Sequence, residues 1–157
     1  MILVDLIEKA GFIVAPFSPE IQDKLESKFS MPGTSAKNPL DLAALFFFPN
    51  TVYEIIDLAL SDENIDGLVL DMPSFYLSAV FRVRDDRSFE SNMIESLCLG
   101  HKHHKPLIPI IQRINRPEDR RRISKKLREK KVPVFGDPLE FLPLLPKISN
   151  YKRKSRD

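Results

Sequence analysis

The chain has 157 residues, 43% hydrophobic and 29% charged, with a net charge of +2, which suits one soluble domain of ordinary size and makes no strong demand for an acidic partner. The single cysteine, Cys98, excludes an intramolecular disulfide and fits a reducing compartment. No apolar run approaches the roughly 20 residues of a membrane span, and Met1 to Ala10 carries acids without a signal-peptide cleavage pattern, so the expected location is cytoplasmic.

Met1 to Ala10 places Ile2, Leu3, Leu6, Ile7 and Ala10 at helical spacing, with Gly11 as its stop. Phe12-Ile13-Val14 reads as a short buried strand. Ser18-Pro19 reads as an N-cap with proline at the first helical position, opening a helix with the stripe Ile21, Leu25 and Phe29. Residues 31–41 (MPGTSAKNPLD) have turn chemistry throughout. Thr51 to Ser61 predicts a helix buried through Val52, Ile55, Ile56 and Ala59, ended by Asp62-Glu63-Asn64.

Gly67 to Asp71 (GLVLD) is the clearest strand, since an apolar run without alternation implies burial on both faces of a parallel sheet. Phe89 to Gly100 predicts a helix buried through Met93, Ile94, Leu97 and Cys98. Leu107 to Ile111 (LIPII) is the next strand, with Pro109 pointing to an edge, a bulge or an unpaired position. Pro117 to Lys130 is a basic helix with only Ile123 and Leu127 to bury. Val132 to Phe135 is a last short strand. Asp137-Pro138-Leu139-Glu140 reads as a capping box opening a final helix through Leu145. The basic tail, residues 149–157, has nothing to bury and is expected to fray from a domain spanning 1–148.

Strands alternating with helices predict an α/β fold with four parallel strands near 12–14, 67–71, 107–111 and 132–135. Ligands in such folds sit beyond the carboxyl ends of the strands, which here means Asp71, the residues after Ile111, and Gly136-Asp137.

Five segments carry a resemblance: VDLIEKAGF (4–12), TSAKNPLDL (34–42), DENIDGLVL (62–70), KPLIPI (105–110) and KVPVFGD (131–137). In order and spacing they resemble the last, flavodoxin-like domain of the α chain in nucleoside-diphosphate-forming (ADP-forming) acyl-CoA synthetases, the succinyl-CoA synthetase-like group. The resemblance implies a three-layer flavodoxin-like parallel sheet flanked by helices. The strand and glycine-rich turn that precede this segment in the family have no counterpart before Met1, so the first strand is expected to be missing. The implied function is that of a domain or subunit fragment of an acid–thiol ligase of the ADP-forming acetate–CoA type. Such a fragment would help to shape the phosphate-transfer site without being catalytic alone. The alternative is a non-catalytic binding or regulatory module derived from that domain. No cofactor is expected in this chain; CoA, ADP or ATP and Mg belong to the complete enzyme. The implied partners are its CoA-binding and ATP-grasp domains or subunits, with a homo-oligomer as a further option and neither nucleic acid nor membrane.

The candidate domain-junction or ligand loop comprises Asn38, Pro39 and Asp41, with Asp71 at the strand end. A plainer reading has Asn38-Pro39 making a turn and Asp41 bonding nearby backbone N–H groups. His101, His103 and His104 form a cluster at a helix C-terminus, where cations are favoured; no cysteine or carboxylate accompanies them, so a solvated cap is expected over a metal site. Residues 120–131 hold eight cations and one acid, Glu129, without aromatics. A solvated helix face is expected there, with docking to an acidic surface or an anionic ligand as the alternative. Phe46-Phe47-Phe48 cannot all face one core from a loop, so at least one should cover a neighbouring element or a partner. Nothing in the chain suggests independent catalysis.

Overall fold

The computed structural model describes residues 2–72, 87–112 and 117–146. The predicted tail and the domain end at residue 148 lie outside the described residues. The order of elements is helix α1 (Ile2–Lys9), α2 (Pro19–Glu26), a 3-10 helix (Ala43–Phe47), α3 (Pro49–Ser61) and strand β1 (Leu68–Met72). After these come α4 (Arg87–Leu97), α5 (Leu99–His103), β2 (Leu107–Ile111), α6 (Pro117–Glu129), α7 (Pro138–Phe141) and a 3-10 turn (Leu142–Leu144). The fold is α/β around a small parallel sheet.

β1 and β2 run parallel, with Leu68 opposite Leu107 and Met72 opposite Ile111. All five residues of β2 are buried. Alternation sends Leu107 and Ile111 into one apolar cluster, with Leu68, Leu70 and the inner faces of α2, α3, α4 and α6. Ile108 and Ile110 enter a second cluster with Val69, Phe135, Phe141, Leu142 and the apolar side of α1. Both faces of the sheet are therefore covered, which is why the strands read as continuous apolar runs.

Two of the four expected strands are corrected. Val132–Phe135 reduces to a single parallel bridge, Ile110 to Phe135. There the Phe135 N–H donates to the Pro109 carbonyl (3.2 Å) and the Ile111 N–H to the Phe135 carbonyl (2.8 Å). The next rungs toward the strand starts would need N–H groups from residues 109 and 133, and both are proline. Pro109 thus marks neither an edge nor a bulge; it shortens the ladder on one side of a buried strand. Phe12-Ile13-Val14 forms no strand, and Ile13 is 86% exposed.

Gly11 stops α1 as its sequence predicts, and some other helix ends depart from their signals. Gly11 (φ 86°), His104 (φ 52°) and Lys131 (φ 60°) each terminate a helix in the left-handed region. Each is followed by a backbone N–H that reaches back five residues: Phe12 to Ile7, Lys105 to Gly100, and Val132 to Leu127. This is the Schellman arrangement. Ser18 corrects its expected role. Its hydroxyl makes no cap bond and donates instead to Asp62. The expected helix over 89–100 breaks at Cys98 into α4 and α5. At Gly100 a Cβ would lie 2.7 Å from the Lys105 carbonyl oxygen, so the turn into β2 needs glycine there. The final helix is also shorter than expected, passing to a 3-10 turn after Phe141.

The buried stripes match their periodicity: Val52, Ile55, Ile56 and Ala59 in α3; Phe89, Met93, Ile94 and Leu97 in α4; Ile123 and Leu127 in α6. In α2, Leu25 is fully buried, whereas Ile21 and Phe29 pack half-buried against the same core. Phe46 is buried, Phe47 half-buried and Phe48 exposed, so the aromatic run does not sit in one core.

Candidate functional site

The loop holding Asn38, Pro39 and Asp41 is closed by its own backbone. Ser35 and Asp41 exchange two N–H to carbonyl bonds, at 3.0 and 2.9 Å. The Asp41 carboxylate accepts from the Ala43 N–H at 3.0 Å, an Asx turn that supports Ala43 at φ 40°. Asn38 donates through Nδ2 to the Ala15 carbonyl at 2.7 Å, and its bond to Pro39 is cis. The loop is thereby fastened to the segment that follows α1.

Asp71 lies elsewhere, near the carboxyl end of β1. Its two carboxylate oxygens accept from Gln112 Nε2 at 2.8 and 2.9 Å. Arg120 Nε donates to the Ile111 carbonyl at that end (2.9 Å). Beyond the Phe135 bridge, Asp137 Oδ1 accepts from the Leu139 N–H (2.8 Å) and Glu140 from the Gly136 N–H (2.9 Å). The capping box is therefore shifted: its glutamate reaches one residue further back than the N-cap. The three positions singled out by the parallel-sheet rule, at Asp71, after Ile111 and at Gly136-Asp137, share the carboxyl end of the sheet.

Sequence reasoning missed three carboxylate centres. Glu90 on α4 has only 3% of its side chain exposed and pairs with Arg122 (2.9 Å) and Lys126 on α6. Arg122 also pairs with Asp119 at 2.8 Å, and these partners hold its guanidinium above the usual arginine range, the Glu90 hydrogen bond contributing most. A signal was present. Glu90 falls at i−3 and i−4 from Met93 and Ile94, inside the apolar stripe. The basic helix α6 is thus not simply solvated, because one flank neutralises a buried acid.

Asp57 on α3 accepts from Lys102 (2.8 Å) and from His103 Nε2. Burial alone would raise its pKa, but the hydrogen bonds and charges of Lys102 and His103 together bring it below the usual aspartate range. Asp62 is almost fully buried. It accepts the Ser18 N–H at 2.7 Å, the Ser18 hydroxyl at 3.0 Å and the Asn64 N–H at 2.9 Å. Desolvation again pushes upward, and these donors with the nearby Lys105 charge outweigh it, leaving the pKa lowered.

The histidines do not converge. His101 Nε2 donates to the Lys130 carbonyl (3.0 Å), His103 meets Asp57, and exposed His104 serves as the left-handed cap of α5. Among the described residues no group of three or more His, Cys, Asp or Glu could hold a metal ion. Cys98 is half-buried against the core, and desolvation raises its thiol pKa, which disfavours the reactive thiolate. No helix among the described residues is long and apolar enough to cross a membrane. Neither a protein-family model, nor a curated protein, nor a solved structure matches the chain.

Proposed function

We propose that the chain is a three-layer, flavodoxin-like domain of a nucleoside-diphosphate-forming acyl-CoA synthetase, one that shapes the phosphate-transfer site and supplies no catalytic group of its own. The observation that carries this reading is spatial. The segments on which the resemblance rests meet around one parallel sheet. The strand of DENIDGLVL pairs with that of KPLIPI, Phe135 of KVPVFGD bridges to Ile110, and the VDLIEKAGF helix packs on the face bearing Val69. Asn38 of TSAKNPLDL fixes the loop beside Ala15, and Asp41 accepts from the Ala43 N–H at its end.

CoA, ADP and Mg²⁺ belong to the complete enzyme on this reading. Among the described residues Asp71 accepts from Gln112 and belongs to no group of three or more His, Cys, Asp or Glu of the kind that holds Mg²⁺. The partners are then the CoA-binding and ATP-grasp domains. A regulatory module derived from the same domain is the second reading, favoured by Asn38 and Asp41 being bonded within their own architecture.

The test is reconstitution. The chain alone should form no ATP from acyl-CoA, ADP and phosphate. Mixed with the CoA-binding and ATP-grasp parts of an ADP-forming synthetase lacking this domain, it should co-sediment with them and restore acyl-CoA-dependent ATP formation. Co-sedimentation without restored turnover would select the regulatory reading, and absence of both would overturn the assignment.

A further inference from the structure

The two flanks of α6 differ in how their cations are used. Arg122 and Lys126 turn toward α4 and neutralise Glu90. Arg121, Lys125 and Arg128 follow one another at i, i+4 and i+7, which places them on one outer ridge about 10 Å long. All three are exposed, and none has a hydrogen-bond or ion-pair partner among the described residues. Some lysines elsewhere do find acids: Lys24 pairs with Glu20, Lys28 with Glu54 and Lys102 with Asp57, whereas exposed Lys9 and Lys37 stand singly and form no ridge. The helix cannot rotate to share its ridge charge with the core, because Ile123 and Leu127 are fully buried beneath it.

We propose that this ridge docks an acidic helix of a protein partner, carrying carboxylates at the matching i, i+4, i+7 spacing. Charge complementarity supplies the attraction. The acids of α6 choose the class of partner. Glu118 and Glu129 are exposed at either end of the ridge. A phosphodiester chain or an anionic bilayer extends past both ends and would meet those carboxylates, whereas a finite acidic patch need not. The stretch also lacks the aromatic side chains on which nucleic-acid bases stack. The inference does not rest on the acyl-CoA synthetase reading, since any acidic helical partner would satisfy it.

The test uses the full chain and a fluorescein-labelled helical peptide with glutamates at i, i+4 and i+7, followed by anisotropy. A peptide of the same composition with scrambled glutamates, a single-stranded RNA, and vesicles of phosphatidylserine and phosphatidylcholine form the other arms. The spaced peptide should bind tightest and weaken as salt rises. Combined Arg121→Glu, Lys125→Glu and Arg128→Glu should weaken it by about tenfold or more. Combined Lys9→Glu and Lys37→Glu, exposed elsewhere, should leave it within about twofold. Lys125→Glu alone gives the same comparison if the triple variant fails to fold by circular dichroism. Equal binding of the scrambled peptide, tighter binding of RNA or vesicles, or an affinity indifferent to the ridge substitutions would each overturn the proposal.

Discussion

Two short apolar runs, Phe12–Val14 and Leu107–Ile111, leave a helix through the same kind of turn, one after Gly11 and the other after His104. Leu107–Ile111 becomes a fully buried strand with β1 on one side and Phe135 on the other. Phe12–Val14 joins no ladder, and Ile13 faces outward. Phe17 anchors that region in the core, and polar side chains hold its backbone. The Ala15 carbonyl accepts from Asn38, the Pro16 carbonyl from Asn64 (3.4 Å), and Ser18 donates twice to Asp62. An apolar run becomes a strand only if a neighbour can satisfy its backbone; otherwise side chains from other loops must do so.

The largest test of this contrast is truncation within each run. Ile110 is completely buried, so Ile110→Ala should cost about 2–5 kcal/mol through lost burial and the cavity left behind. Ile13→Ala should stay within about 0.5 kcal/mol, as surface changes usually do. Urea unfolding of both variants measures the difference. A cost at Ile13 equal to that at Ile110 would mean that residues 12–14 are buried against something, in a second copy or a partner.

Local periodicity explains how much of this was legible. The stripes of α3, α4 and α6 are properties of single segments, and spacing alone placed their buried faces. The strand Leu107–Ile111 was found at its observed bounds for the same reason. Pairing is not local. Nothing within Phe12–Val14 says that no strand will arrive beside it, and the shortened ladder at Phe135 depends on two prolines, 109 and 133, separated by a helix. The candidate loop was legible as a loop, because Asn38, Pro39 and Asp41 are turn residues. Its attachment to Ala15, 23 residues away, was not. Glu90 was readable in principle, since a carboxylate inside an apolar stripe demands a counter-charge from a neighbouring helix.

A middle-sized effect should come from the polar fastening. Asp62→Ala leaves two N–H groups and the Ser18 hydroxyl without their acceptor, and should cost about 1–3 kcal/mol. The pH dependence carries a sign. The Asp62 pKa is lowered in the folded chain from its ordinary 3.8, so its contribution is present above the unfolded value and is lost as pH falls through the folded one. Stability should therefore hold above about pH 5 and decline progressively below it. Asp57, lowered in the same direction, adds to the decline. Denaturation midpoints across this range should fall less steeply for Asp62→Ala than for the wild type. Parallel curves would mean that the carboxylate is not what ties Ser18 to the turn after α3.

The smallest effect concerns the turns from which the runs emerge. Gly11 occupies its left-handed conformation without a Cβ penalty, whereas Lys131 adopts φ 60° with a full side chain. The left-handed region costs a non-glycine residue about 1–2 kcal/mol, and glycine gives back about 0.5–1 kcal/mol of that through its greater unfolded-state freedom. Lys131→Gly should therefore stabilise the chain by roughly 0.5–1 kcal/mol, provided that nothing else is lost. The conditions are met: Lys131 is exposed, its N–H still donates to the Arg128 carbonyl, and Val132 and Leu127 still bury their side chains in the same core. Lys131→Ala keeps the Cβ and removes only the charge, so it should leave stability nearly unchanged. Thermal midpoints of the two variants separate the backbone from the charge. A gain for alanine equal to that for glycine would assign the effect to the crowded cations of residues 120–131, and the shared geometry of the helix exits would then explain nothing about their stability.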